Sequence, residues 1–317
     1  MNRPLVLAVP SKGRLKEQVE AWLQDCSLSL SVSGGDRGYA ADLKGVSGII
    51  VRLLSAGDIA EALEAGEVHL GVTGEDLLRE RGPNIDRDVL LLQALGFGRA
   101  DLVVAAPRSW LDVDNMSDLE EVAHDMLART GRRMRVATKY LVQTRAFFAR
   151  YGIADYRISE SAGATEGAPA AGAAELVVDI TTTGATLQAN GLKILSDGVI
   201  LKSEAHLAAS RLADWTRGNL ASAEALLRIL EARASAHGSA TLVWPSQAGD
   251  EDLSRQFESL GASRRPNGLL VPNAKVAEIA TSLTAAGRGP VTVSRPDFVF
   301  DVQSKATDAL RAHCGQF

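Results

Sequence analysis

Cysteine is almost missing from this chain: Cys26 and Cys314 lie near opposite ends of its 317 residues. Two thiols so far apart make neither a disulfide framework nor a zinc site. The five histidines, His69, His124, His206, His237 and His313, show no metal-ligand spacing. No segment offers the roughly 20 apolar residues that a bilayer crossing requires. Nothing resembles a secretory leader either, since the apolar run at 5–9 stops at Pro10. Basic residues are outnumbered, 34 Lys and Arg against 39 Asp and Glu, for a net charge of −5. That balance argues against a general nucleic-acid surface. It does not bar small anions, which a few local cations and backbone N–H groups can hold. Walker A, a paired dinucleotide fingerprint, a Gly-x-Ser-x-Gly elbow and a Cys/His nucleophile pair are all absent from the sequence. The chain reads as a soluble, reduced, cytoplasmic protein. Any reaction it runs would rest on positioned anions and charge stabilisation rather than on a nucleophile and its base.

What is present is ordinary globular material, 46% apolar and 23% charged. At roughly 100–200 residues per domain, the length predicts two or three units. Short apolar runs alternate with amphipathic stretches over the first 200 residues. Residues 5–9 read as a buried strand, after which Leu15, Val19, Trp22 and Leu23 share one helical face. Strands at 49–54 and 68–72 follow, with a helix at 58–65 between them. Thr73 is placed to cap a helix over 74–81. A second cycle has strands at 102–106, 134–138 and 175–180 and helices near 117–129 and 141–151. Ser117 and Glu120 have the spacing of a capping box. Such alternation predicts an α/β fold with largely parallel sheets. The economical arrangement is two lobes with a cleft, residues 1–97 and 185–215 forming one and 98–184 the other. Residues 216–317 read as a connector helix at 220–236 and a small α+β module of ferredoxin-like type, with strands at 241–244, 269–271 and 291–299.

The strongest chemical signal is a strand ending Leu176-Val177-Val178-Asp179-Ile180, followed by Thr181-Thr182-Thr183-Gly184-Ala185-Thr186. Open α/β sheets bind ligands at the C-terminal ends of their strands. A hydroxyl-rich turn around one glycine, opening a helix, predicts a nest of backbone N–H groups for a phosphate. Asp179 stands where it would accept hydrogen bonds from sugar hydroxyls. An ordinary strand-to-helix turn with capping threonines is the bland alternative. Ser11-Lys12-Gly13-Arg14 follows the first strand, and Lys12, Arg14 and Lys16 crowd a helix N-terminus whose dipole they oppose. An arriving anion would remove that conflict; solvated surface charges explain the cluster equally well. Gly71-Val72-Thr73-Gly74 is another strand-end turn at the same sheet edge. Thr138, Lys139 and Tyr140 end a strand of the second lobe with a cation and an aromatic ring, suited to a phosphate or a nucleobase. Glu166 is the one acid in the Gly/Ala-rich run at 163–169. Trp22, Trp110, Phe147 and Phe148 read as packing residues.

Six blocks in order resemble the ATP phosphoribosyltransferases, which open histidine biosynthesis. They are Lys12-Gly13-Arg14; Gly71-Val72-Thr73-Gly74-Glu75-Asp76-Leu77-Leu78; Leu95-Gly96-Phe97-Gly98; Ala137-Thr138-Lys139-Tyr140; Glu166-Gly167-Ala168-Pro169; and Asp179-Ile180-Thr181-Thr182-Thr183-Gly184-Ala185-Thr186 with its continuation to Leu192. The resemblance implies two periplasmic-binding-protein-like lobes and condensation of ATP with phosphoribosyl pyrophosphate (PRPP), giving phosphoribosyl-ATP and pyrophosphate with Mg²⁺. It places the PRPP 5′-phosphate on Thr181, Thr182, Thr183, Gly184, Ala185 and Thr186, with Asp179 on the ribose hydroxyls. Lys12, Gly13, Arg14, Gly71, Thr73 and Gly74 would face pyrophosphate or triphosphate, with Thr138, Lys139, Tyr140 and Glu166 also on the ATP side. Mg²⁺ would ride on substrate oxygens rather than on a protein site. A homo-oligomer, dimer or hexamer, and inhibition by histidine are further implications of the resemblance. Two departures stand out: Arg99-Ala100-Asp101 where the family carries a Cys before a basic residue, and Glu175 in place of an Asp. A two-lobed sensor or regulatory subunit that binds a phosphometabolite without chemistry is the alternative, separated by whether PRPP is consumed.

Overall fold

A computed structural model of the chain describes residues 3–32, 40–161, 163–245 and 250–314. The first lobe begins with β1 (Leu5–Pro10), α1 (Gly13–Asp25), β2 (Ser29–Val32), β3 (Ala40–Lys44) and β4 (Ile49–Leu54). It continues through α2 (Ala56–Glu64), β5 (Leu70–Gly74), α3 (Glu75–Glu80), α4 (Ile85–Asp88) and β6 (Val89–Ala94). The second lobe holds β7 (Ala100–Pro107), α5 (Met116–Thr130), β8 (Met134–Thr138), α6 (Leu141–Arg150), β9 (Tyr156–Glu160), β10 (Leu176–Thr181), α7 (Ala185–Ala189) and β11 (Leu192–Ser203). The chain then returns as β12 (Ala205–Ser210). Each lobe is one sheet, in the order β2-β3-β4-β1-β5-β12-β6 and β11-β7-β10-β8-β9. The expected two-lobed α/β architecture is therefore present.

The central strands are apolar on both sides because helices cover both faces. In β1, Leu5, Leu7, Ala8 and Val9 are all buried. Leu5, Leu7 and Val9 join the core beneath α1, whereas Ala8 joins the one beneath α2. Helix starts follow local chemistry. The Ser55 hydroxyl accepts the Asp58 N–H and caps α2. The capping box of α5 is formed by Asn115 and Asp118, not by Ser117 and Glu120 as the spacing suggests. The Asn115 amide oxygen reaches the N–H groups of Ser117 and Asp118 at 2.9 and 3.1 Å, so the helix opens earlier. Thr73 does not cap α3 either: the cap is Gly74.

One expected boundary changes. The return to the first lobe lies at Glu204 rather than near 185. Residues 192–203 pair antiparallel with β7 in the second sheet, and β12 pairs with β5 and β6 in the first. Residues 185–203 thus belong to the second lobe, because α7 is too short to leave it and Leu187 and Leu192 pack beside Val177 in its core.

After the connector α8 (Arg217–His237) come β13 (Ser239–Val243), α9 (Asp250–Gln256), β14 (Ser263–Arg265), β15 (Gly268–Pro272), α10 (Val276–Ala285) and β16 (Thr292–Ser294). The order β14-β15-β13-β16, antiparallel throughout, is the ferredoxin-like arrangement expected. The last strand is shorter than 291–299. A final helix, α11 (Lys305–Cys314), runs back to the first lobe, where Ala306 and Leu310 share a core with Leu226, Leu227 and Leu230 of α8. Asp25 of α1 takes a two-pronged ion pair from Arg233 and a contact from His237, 2.6–2.9 Å. The Arg233 guanidinium, aided by His237, holds the Asp25 carboxyl down to about 2. No helix among the described residues is long and apolar enough to cross a membrane.

Candidate active site

Strand β10 is the innermost element of the second lobe, flanked by β7 and β8. Its buried Val177 and Val178 fix the register that brings Asp179 to the strand's far end. Asp179 is half-buried, and its Oδ1 accepts the Ile180 N–H at 2.8 Å. Burial pushes this carboxyl above the ordinary carboxylate range, and the charge of Glu166 adds to that; the Ile180 N–H and Lys139 pull the other way. Glu166 reaches the same space from a short 3-10 turn whose Thr165 is buried and donates to the Ser161 hydroxyl.

The threonine turn is cinched from within. Gly184 lies at φ +76°, a conformation glycine adopts without strain. Its N–H donates to the Thr181 hydroxyl at 2.8 Å, and the Ala185 N–H donates to the Thr183 hydroxyl at 3.3 Å. Two N–H groups expected in an anion nest are thus already engaged, and α7 is too short to lend much dipole. Thr181, Thr182, Thr183 and Thr186 line a cavity of about 300 Å³ together with Glu166 and Asp179.

A second chamber, of about 570 Å³, adjoins it and shares Ala100, Ile180 and Thr182 as wall. Its far side comes from the first lobe: Arg14 and Gln18 of α1, with Gly74 and Asp76. Residues 96–100, the outbound crossing, form its floor. Lys12 precedes α1 in extended conformation, Gly13 follows at φ +75°, and no acid occupies the first turn of that helix. Lys12 and Arg14 are exposed, with Arg14 facing the chamber. Neither is engaged by a hydrogen bond or ion pair among the described residues, so the charge conflict at this helix start stands unrelieved.

Several expected site residues are placed elsewhere. Gly71 lies in the core, where an added Cβ would sit 2.7 Å from Ile59 Cγ2. Thr73 is fully buried, and its hydroxyl donates to the Ala56 carbonyl at 2.7 Å. The buried Thr138 hydroxyl accepts the Tyr140 N–H at 2.9 Å. Tyr140 is 1% exposed and its phenol donates to Asp76 at 2.6 Å, so its ring is not available to stack on a base. Lys139 is exposed, its ammonium 5.1 Å from the Tyr140 ring centre. The packing roles of Phe147, Phe148, Trp22 and Trp110 hold. Missed from sequence were Gln18, Asp76 and Arg99 as chamber walls. The φ of +65° at Gly98, hemmed in by Leu15 and Ala205, is the feature that a Gly-Phe-Gly spacing hinted at.

A cleft that puts a hydroxyl-lined pocket and an acid on one lobe opposite loose cations on the other suits a sugar phosphate meeting a second polyanion. The family model described as HisG, ATP phosphoribosyltransferase, matches residues 55–232. This chain belongs to the ATP phosphoribosyltransferase family. It is 63% identical to the ATP phosphoribosyltransferase of Caulobacter vibrioides strain NA1000 over 97% of both chains. It is 48% identical to that of a Bradyrhizobium strain, ORS 278, over 98% of this chain and 99% of the other. Among solved structures it resembles the ATP phosphoribosyl transferase (HisG:HisZ) complex from Thermotoga maritima, with a TM-score of 0.54 and 25% identity over 72% of this chain and 98% of that one. The enzyme class that follows is a pentosyltransferase.

Proposed function

We propose that this chain joins N1 of ATP to the anomeric carbon of PRPP in the two-chamber cleft, releasing pyrophosphate. The observation that carries the reading is the shared wall at Ala100, Ile180 and Thr182, which puts the threonine pocket and the Arg14 chamber within one reaction space. The hydroxyls of Thr181, Thr182, Thr183 and Thr186 hold the 5′-phosphate, and Asp179 accepts from the ribose hydroxyls. Arg14 and Lys12 offset the charge of the departing pyrophosphate or the ATP triphosphate. Adenine N1 carries its own lone pair, so attack needs no deprotonating base. The protein's contribution is alignment and stabilisation of an oxocarbenium-like transition state. Gly71, Thr73, Thr138 and Tyr140 support this arrangement from behind and do not touch substrate.

Mg²⁺ fits the chamber. Asp179 and Glu166 line one cavity, where burial, helped by the charge of Glu166, disfavours the charged form of Asp179, a cost that a nearby cation would lower. Substrate oxygens would supply most of the ion's ligands, the usual habit of Mg²⁺. Such an ion would supply positive charge against the pyrophosphate oxygens, beside the Asp179 and Glu166 side chains that would help to hold it.

Cytoplasmic location, a homo-oligomer of dimers and inhibition by histidine through the ferredoxin-like module complete the proposal. The Thermotoga maritima structure is a HisG:HisZ complex, so a separate regulatory chain is the competing arrangement. The experiment is pyrophosphate release from ATP, PRPP and Mg²⁺ by the full-length chain, with and without histidine, alongside sedimentation. Release only when both substrates are present is expected. PRPP bound by a folded protein but never consumed would overturn the reaction in favour of a sensor.

A further inference from the structure

The two lobes are fastened to each other through one short helix. Helix α3 follows β5 directly, and its first residue, Glu75, donates its N–H to the carbonyl of Glu204, the return crossing, at 3.0 Å. The next residue, Asp76, is 6% exposed. Its Oδ2 accepts the Tyr140 phenol at 2.6 Å and its Oδ1 accepts the Ser203 hydroxyl at 2.9 Å, both from the second lobe. The Asp76 N–H donates to the Ser203 oxygen at 3.0 Å, and its carbonyl accepts from the Gln143 side-chain amide at 2.9 Å. One turn later, Glu80 accepts the N–H groups of Val142 and Gln143 at 2.8 and 3.2 Å, closing the open start of α6. Every partner of Asp76 and Glu80 lies across the lobe boundary. The glycine at position 74 belongs to the same device, because a Cβ there would lie 2.3 Å from Asp76 Oδ1.

We propose that Asp76 is a positioning residue: by gripping Tyr140 and Ser203 it fixes the angle between the lobes and so the distance from the Arg14 side of the cleft to Asp179 and the threonine turn. The link to the reacting region is short. Tyr140 continues β8, whose Ala137 pairs with Val177 of β10, two residues before Asp179. Lys139, between Thr138 and Tyr140, is the cation that acts on Asp179. Burial and the adjacent carboxylate keep the Tyr140 phenol protonated, so it stays a donor throughout the working pH range. Lost alignment harms the step in which both substrates must meet, while PRPP, whose 5′-phosphate and ribose are seated on the second lobe, keeps most of its binding contacts.

This proposal rests on the reaction assigned above. The test is steady-state kinetics and PRPP calorimetry on the full-length Tyr140→Phe and Asp76→Asn variants, with melting curves to show that both fold. Tyr140→Phe keeps the ring in the core and removes only the hydrogen bond. Expected is a fall in kcat of about 10- to 100-fold, the scale of a misplaced reacting group, with the PRPP Kd within about 2-fold of the parent. A kcat within about 2-fold of the parent in both folded variants would overturn the positioning role, as would PRPP binding that falls in step with kcat. Absence of turnover in the parent protein bears on the reaction itself, whereas variants equal to a working parent count against the positioning role alone.

Discussion

Two strand ends in this molecule are built from the same letters and have opposite fates. Residues 71–74, expected as a turn but lying within β5 itself, and the 181–186 turn after β10 each mix glycine with threonine at the C-terminal end of a buried strand. The second stays open: Thr182, Thr183 and Thr186 are exposed. The first is closed on every side. Helix α2 packs on Gly71, the Ala56 carbonyl takes the Thr73 hydroxyl, and the Asp76 carboxylate folds over Gly74. Residue type at a strand end is therefore a poor guide to ligand contact. What decides is whether the next helix turns outward, as the five-residue α7 does, or bends back onto the turn, as α3 does.

The largest contrast should come from changing one residue on each side. Asp179→Asn keeps the shape of the open turn and replaces one of the two acceptor oxygens, together with the negative charge, by an amide donor. Turnover should drop by about 10²- to 10³-fold, the usual scale for one preorganised group at a charged transition state. The melting temperature should not fall. A variant with near-parental kcat would show that Asp179 is merely the end of a strand. Gly71→Ala should do the reverse. Its methyl would press on Ile59 and Leu63, costing about 1–3 kcal/mol of stability while leaving kcat per folded molecule intact. Weakened pyrophosphate inhibition with unchanged stability would mean the closed turn is a ligand site after all.

How much of this could be read from the sequence depended on how local the cause was. The strand at 134–138 is legible to the residue, because a run of apolar letters between a basic loop and Tyr140 needs no partner to be understood. The ferredoxin-like order was legible for the same reason, as β13, α9, β15 and α10 each announce themselves by periodicity. Strand β11 was not, since Lys193, Ser196, Asp197 and Gly198 break its apolar pattern where it bends away from β7. Nor was α11, whose buried side depends on a groove between α8 and β6 that only the folded chain supplies. The same limit governed the site. That Asp179 and its threonines share one cavity was legible because they stand side by side at the end of a single strand. Thr73, Thr138 and Tyr140 were misplaced because their burial is set by α2, α3 and Asp76, which are distant or silent in sequence.

A finer test compares two threonines. Thr73→Val removes a buried hydroxyl and leaves the Ala56 carbonyl without it, so stability should fall by about 1 kcal/mol, read as a lower denaturant midpoint with unchanged PRPP affinity. Thr183→Val should leave the midpoint alone and weaken PRPP binding in calorimetry. Should the two variants exchange behaviour, the assignment of open and closed turns would be reversed.

The smallest expected effect lies at the other end of the closed turn's strand. His69 precedes β5 and is 8% exposed. Its Nδ1 accepts the Val6 N–H at 3.1 Å, which requires that nitrogen to be unprotonated. On its other side Nε2 faces the Asp214 carbonyl and the Asn219 side chain, and the ring meets Trp215 edge-on at 5.1 Å. Burial lowers the His69 pKa below its ordinary value, the Asp214 carbonyl opposing. The unfolded chain then binds this proton more readily than the folded one. The stability that His69 contributes is complete above the unfolded histidine value of about 6.5 and is lost as pH falls from there towards the lower folded value. Denaturant midpoints measured between pH 8 and pH 5 should decline on the acid side, and the decline should be shallower in His69→Gln, which keeps a polar side chain but cannot titrate. Equal slopes in the two proteins would assign the acid sensitivity to other groups and leave β5 held only by its neighbours in the sheet.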